Sequence, residues 1–313
     1  MIGISEIATY IPPGRESNLD KLEKFGITAA FIDEKIGVNT VARKDVGQDT
    51  SDLCVAAARR LEEKAPGALQ GVDFIMVCTQ NPDGRGLPHV SAILHGKLGL
   101  DRRCAAFDIS LGCSGFVYGL EIARSFMEAH GYKKGLLFTA DPYSKILDPD
   151  DKNTVLLFGD GAAVTLLERA SPERPLLTPV RFDVDTHGQQ CTALINENGK
   201  LHMNGRQVFT YSATAVPESV RRLLGEAKLA VADIDLFLFH QGSKYIVDAV
   251  AKRLEVPESK LARNMQDHGN TVSSTIPILL EPHVRNDAVK RALACGFGVG
   301  LSTATCLLER RAG

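Results

Sequence analysis

Cys113, His240 and Asn270 are a thiol, an imidazole and a carboxamide, each set at the end of an apolar run or in a glycine-containing turn. A thiol can act as a covalent nucleophile if its surroundings favour attack. After the strand-like Ala105 to Ser110 and the turn residue Gly112, Val117, Leu120, Ala123 and Met127 fall on one helical stripe that ends at Gly131. Cys113 is therefore expected at a helix N-terminus, where free N–H groups and the positive end of the helix dipole favour a thiolate. His240 closes the run Leu236 to Phe239, at the strand end where open α/β folds place ligands. Asn270 stands in His268-Gly269-Asn270-Thr271. Each also has a plainer reading. A cysteine is most often a small core hydrophobe, a histidine at a strand end a hydrogen-bonded core residue, and an asparagine beside glycine a turn or cap.

The elements that must position these residues alternate between strand-like and helix-period segments, which implies an α/β fold with mostly buried sheets. The chain also repeats itself. Val72 to Val77 is echoed by Ile234 to Phe239, and the helical segments that follow end in Leu98-Gly99-Leu100 and Leu254-Glu255-Val256. Gly159 to Arg169 likewise matches Gly300 to Arg310, and Asp108 to Ser114 matches Met265 to Thr271. The first three of these echoes, in one order, predict two halves related by a pseudo-twofold axis, residues 1–172 and 173–313, joined near Pro172 to Pro175. The same alignment sets Cys113 opposite Asn270, so the axis can bring both helix starts to one central point.

Composition narrows the function classes. A formal net charge of -2 and the lack of like-charge runs give no footprint for nucleic acid or an anionic membrane. No apolar run approaches the roughly 20 residues of a membrane span. Pro12-Pro13 interrupts the stretch that a signal peptide would need, so a soluble, cytoplasmic protein is expected. The seven cysteines are odd in number and lack CxxC spacing, which predicts neither disulfides nor zinc. Cys54, Cys78, Cys104, Cys295 and Cys306 fit the core reading. No His/Glu spacing matches a metal motif, and Gly296-Phe297-Gly298-Val299-Gly300 lacks the GxGxxG pattern of a nucleotide site.

Gly112-Cys113-Ser114-Gly115-Phe116, Phe158-Gly159-Asp160-Gly161-Ala162, His240-Gln241, His268-Gly269-Asn270-Thr271 and Gly296-Phe297-Gly298-Val299-Gly300 together resemble the β-ketoacyl-acyl-carrier-protein synthase III family of thiolase-like condensing enzymes. The resemblance runs from about residue 3 to residue 310. It implies a duplicated, five-layered α/β/α/β/α fold, usually a homodimer, that works without a cofactor. It further implies that Cys113 accepts an acyl group from a coenzyme A or carrier-protein thioester while the backbone N–H groups of Cys113 and Val299 hold the oxyanion. His240 and Asn270 would then stabilise the enolate formed when malonyl-carrier loses carbon dioxide.

The resemblance also assigns substrate-binding positions. Where acetyl-coenzyme A-using relatives clamp adenine between a tryptophan and an arginine, aided by a second arginine, this tryptophan-free chain has Phe31, Lys35 and Lys152. Leu87 stands where short-chain members close the acyl pocket with phenylalanine, and Phe297 is expected to line the substrate pocket. These changes point to a donor longer than acetyl, or one held on a protein. Lys244, Lys252 and Arg253 form the expected landing surface for an acidic carrier protein, with Tyr245 in place of a family arginine.

Three rivals stand beside this reading. Cys, His, Asn is also the chain order of papain-like proteases, but the repeated halves and the residues around Cys113 oppose that fold. A non-catalytic subunit is expected to lack part of the triad. An acyltransferase serving an alcohol or amine would keep Cys113 and often alter the asparagine, so intact Asn270 favours condensation.

Overall fold

The apolar runs form thirteen strands among the described residues, 1–312 of a computed structural model. In chain order these are β1 (Ile2–Tyr10), β2 (Gly14–Ser17), β3 (Thr40–Arg43), β4 (Phe74–Cys78), β5 (Ala105–Ile109), β6 (Lys134–Ala140) and β7 (Ala162–Arg169). Then follow β8 (Leu176–Thr186), β9 (Leu194–Glu197), β10 (Lys200–Met203), β11 (Leu236–Phe239), β12 (Arg291–Gly298) and β13 (Ser302–Arg311). Nine of them share one hydrogen-bonded order, β11-β12-β13-β8-β1-β7-β6-β4-β5.

That order is two copies of one pattern. In β5-β4-β6-β7-β1 the first three strands run parallel and the later pairings are antiparallel. In β11-β12-β13-β8 the first pair is parallel and the others antiparallel, while Phe237 bridges in parallel to Leu261 where the counterpart of β5 belongs. The two sets meet at the single pair Ile4 and Leu177, and the turn between β7 and β8 holds Pro172. The likeness reaches side-chain detail. Asp73 accepts the backbone N–H groups of Lys133 and Lys134, and Asp235 those of Lys290 and Arg291, so both aspartates start matching strands in the same way.

Five layers follow from which helices touch which strands. The helices Thr50–Lys64 and Val90–Leu98 cover the first set, whereas Gly205–Ala227, backed by Lys244–Leu254, covers the second. Between the sets lie Gly115–His130 and Thr275–Leu280, each in contact with strands of both. The inner helix needs an apolar surface all the way to its base. Val117, Leu120, Ala123 and Met127 supply it, all fully buried, each side chain other than alanine worth roughly 1.5–3 kcal/mol of transfer free energy. Gly131, left-handed at φ 68°, ends the helix. Because both inner helices begin near the axis, the residues just before them converge.

Candidate active site

Cys113 follows the turn after β5 and precedes Ser114, the N-cap of the Gly115–His130 helix. The Ser114 hydroxyl lies 2.8 Å from that of Ser302 at the start of β13, which ties the nucleophile's turn to the other half. The thiol is only 3% exposed, and burial pushes it up to about 12. The backbone N–H groups of Val299 and Cys113 lie near enough to pull it down, but by less. Withdrawal from water thus outweighs the backbone donors and works against the thiolate expected at the helix start. Gly298 makes the approach possible, because a Cβ there would stand 2.7 Å from Sγ.

His240 extends β11 by one residue, its N–H donating to the Cys295 carbonyl at 2.9 Å. Its ring meets Phe297 edge-on, 5.4 Å between centroids at 87°. Nδ1 lies 2.7 Å from the Thr275 hydroxyl. Burial lowers the ring's pKa to about 3, so the imidazole is neutral at physiological pH.

Asn270 is seated by the Phe158-Gly159-Asp160-Gly161 segment. The Asn270 N–H donates to the Leu157 carbonyl at 2.8 Å, and the Gly159 N–H donates to the Asn270 carbonyl at 3.0 Å. Glycine is required at 159, where a Cβ would come within 1.8 Å of the His268 carbonyl oxygen. Asp160 locks the segment by accepting from the Lys44 N–H and the Ser144 hydroxyl. This motif is a seat for the asparagine. The Asn270 Oδ1 accepts the Val272 N–H at 2.8 Å, which leaves Nδ2 3.5 Å from His240 Nε2.

One pocket of about 350 Å³ brings together Cys113, His240 and Asn270 with Phe31, Lys35, Lys152 and Phe297. Val299 lies behind the sulfur and lines a second cavity of about 220 Å³ with Gln80, Ser110 and Tyr143; Leu194 borders both. Leu87 does not belong to either lining. It is 93% exposed, on a loop that Asp83 ties to Ser51 of the Thr50–Lys64 helix, so it is no wall of this chain's pocket.

Lys244, Lys252 and Arg253 all lie on the Lys244–Leu254 helix, with different surroundings. Lys252 is exposed, Lys244 pairs with Asp248 at 3.4 Å, and Arg253 donates to the Ala213 carbonyl. Sequence reasoning missed the apolar lining by Leu157, Met203, Val208, Phe209 and Ile246. In the sequence these read as ordinary core positions, and only the fold turns them toward a cavity. It also missed Thr275.

Known proteins resemble the chain along nearly its whole length. The family described as 3-oxoacyl-[acyl-carrier-protein (ACP)] synthase III matches residues 107–186, and its C-terminal part matches residues 224–310. The chain is 31% identical to the β-ketoacyl-[acyl-carrier-protein] synthase III of Lactococcus lactis subsp. lactis, covering 98% of each. It is 34% identical to that of Geobacillus kaustophilus, covering 96% of each. A solved 3-oxoacyl-(acyl-carrier-protein) synthase III superposes with a TM-score of 0.91 at 32% identity, over 98% of this chain and 99% of that one. With the duplicated fold and a cysteine, a histidine and an asparagine converging at its centre, the chain belongs to the β-ketoacyl-[acyl-carrier-protein] synthase III family.

Proposed function

We propose that the chain joins an acyl group to malonyl-carrier in two half-reactions at one pocket, with Cys113, His240 and Asn270 as its catalytic residues. One observation carries this reading. The sulfur, with two backbone N–H groups beside it, shares a small cavity with the neutral imidazole and the oriented amide.

In the first half-reaction the Cys113 sulfur attacks the donor's thioester carbonyl, and the Cys113 and Val299 N–H groups hold the oxyanion. The thiol is pushed up by burial, so its proton leaves as attack proceeds and ends on the departing carrier thiol. In the second, malonyl-carrier loses carbon dioxide. The enolate oxygen then accepts from His240 and Asn270, and the carbanion attacks the acyl carbonyl. Cys113 leaves as a thiolate and takes up a proton. The sequence of steps calls for no cofactor or metal.

The donor is an acyl-coenzyme A or acyl-carrier protein, the acceptor malonyl-acyl carrier protein, with the Lys244, Lys252 and Arg253 helix as the landing surface. A second copy of the chain is the proposed structural partner. β5 ends the sheet with only β4 beside it, and it carries the half-buried Phe107 and Ile109. Edge strands of this kind need cover. We take 1–172 and 173–313 as the two units of the repeat. Among the described residues no helix is long and apolar enough to cross a membrane, and we assign the enzyme to the cytoplasm.

The test is intact-protein mass spectrometry after incubation with a panel of acyl thioesters, followed by malonyl-carrier. The acyl mass should appear on Cys113 and then as a β-ketoacyl product, with Cys113→Ala inert. Release of free acid with no condensed product would overturn the condensation step.

A further inference from the structure

His240 and Thr275 face each other with no room for solvent, 2% and 3% exposed. The Thr275 hydroxyl has one proton and two acceptors in reach, His240 Nδ1 at 2.7 Å and the Val272 carbonyl oxygen at 3.1 Å. A neutral imidazole likewise carries one proton, on either nitrogen. The two choices are locked together. If Thr275 donates to Nδ1, the ring proton is on Nε2, and Nε2–H and the Asn270 Nδ2 become two donors 3.5 Å apart. If Thr275 donates to Val272, Nδ1 holds the ring proton, Nε2 is a bare acceptor, and Asn270 is left to bind an enolate alone.

The shorter contact favours the first choice, because hydroxyl donors centre near 2.7–2.8 Å and N–H donors nearer 2.9–3.0 Å, and it is the closer of the two acceptors to the hydroxyl. Resting on the decarboxylative reading above, we propose that Thr275 is a positioning residue that selects the Nε2–H tautomer of His240 by donating its hydroxyl proton to Nδ1. The turn from Asn270 to Thr275 then orients both donors. The Val272 N–H fixes which end of the Asn270 amide faces the pocket, and Thr275 fixes which end of the imidazole does. Acyl transfer to Cys113, which draws on the backbone donors, has no need of this choice.

Nitrogen-15 NMR of the histidine-labelled enzyme reads the tautomer directly, with His240→Ala assigning the signal among the eight histidines. Wild type should show a protonated Nε2 and an unprotonated Nδ1. Thr275→Val keeps the volume but takes the hydroxyl proton away from Nδ1 and leaves the Val272 carbonyl as an acceptor for the ring, so the proton should move to Nδ1. Decarboxylation of malonyl-carrier should then fall on the order of 10- to 100-fold, less than the cost of removing a donor outright. Acylation of Cys113 should change far less, and Thr275→Ser should restore both tautomer and decarboxylation. A protonated Nδ1 in wild type overturns the proposal with no variant needed. So does a Thr275→Val enzyme that keeps the wild-type tautomer, or that loses both half-reactions equally. Failure of the underlying reading looks different: wild type would then not decarboxylate malonyl-carrier at all, whatever its tautomer.

Discussion

Asn270 Nδ2 stands 3.5 Å from His240 Nε2, although the two residues come from different elements, a turn before an inner helix and the end of β11. Two nitrogens at that spacing can converge on one oxygen. On the proposed roles the two half-reactions draw on different groups, because neither nitrogen is among the backbone donors beside the Cys113 sulfur.

His240→Ala and Asn270→Ala should therefore still take up an acyl group at Cys113 while losing decarboxylation by about 100- to 1,000-fold each, the cost typical of deleting one oxyanion donor. Single-turnover acylation by mass spectrometry and carbon dioxide release from malonyl-carrier measure the two separately. Unimpaired decarboxylation in both variants would refute the assignment.

Burial of Cys113 makes a pH prediction with a definite sign. Its thiol is pushed up to about 12, so at pH 7 the thiolate is a minor species that grows about tenfold per pH unit. Alkylation of Cys113 by iodoacetamide should rise steadily from pH 7 to 9.5 without a plateau. A plateau near pH 7 would mean that the helix start dominates after all.

That thiol illustrates where the sequence stops being legible. The repeat could be read because Asp73 and Asp235, and the strands they start, are local patterns that each half carries whole. The same holds for Cys113, His240 and Asn270, which stand in short motifs that announce a strand end or a helix start. The acidity of Cys113 depends on what covers it, and Gly298 and Val299 come from nearly two hundred residues further along. Leu87 shows the same limit: a matching position is local, whereas the direction a loop takes is set by contacts such as Asp83 with Ser51. Thr275 carried no signal, since a threonine in a buried turn has meaning only beside the ring it touches.

Carrier docking should divide the three basic residues by their surroundings. Lys252→Glu should raise the KM for carrier-bound substrate, and the remaining affinity should weaken less as salt is added. Arg253→Glu should do the same and also lower stability by about 1–3 kcal/mol, because it leaves the Ala213 carbonyl without its donor. Kinetics between low and high salt, with urea unfolding alongside, test both. Equal stability of the two variants would assign Arg253 to the surface alone, and unchanged KM in both would remove this helix as the landing site.

Donor preference follows from the pocket mouth. The Lys35 ammonium sits 4.2 Å above the Tyr245 ring, and Phe209 stacks against that ring at 4.9 Å and 25°. The cation expected to help grip adenine is thus already on an aromatic partner, and a flat base must displace it at a cost of about 0.5–1 kcal/mol. Lysine cannot recover that cost by stacking, as an arginine could, because it lacks a planar guanidinium. A phosphopantetheine arm on a carrier protein brings no adenine and meets the apolar lining of Leu157, Met203 and Val208 directly. Octanoyl-carrier is therefore expected to have a higher kcat/KM than acetyl-coenzyme A, and Lys35→Arg should shift the ratio a few-fold toward coenzyme A esters. Measuring kcat/KM for acetyl and octanoyl donors on both carriers decides the matter. A clear lead for acetyl-coenzyme A over the other three would show that the occupied mouth opens at little cost and that Phe31, Lys35 and Lys152 clamp adenine after all.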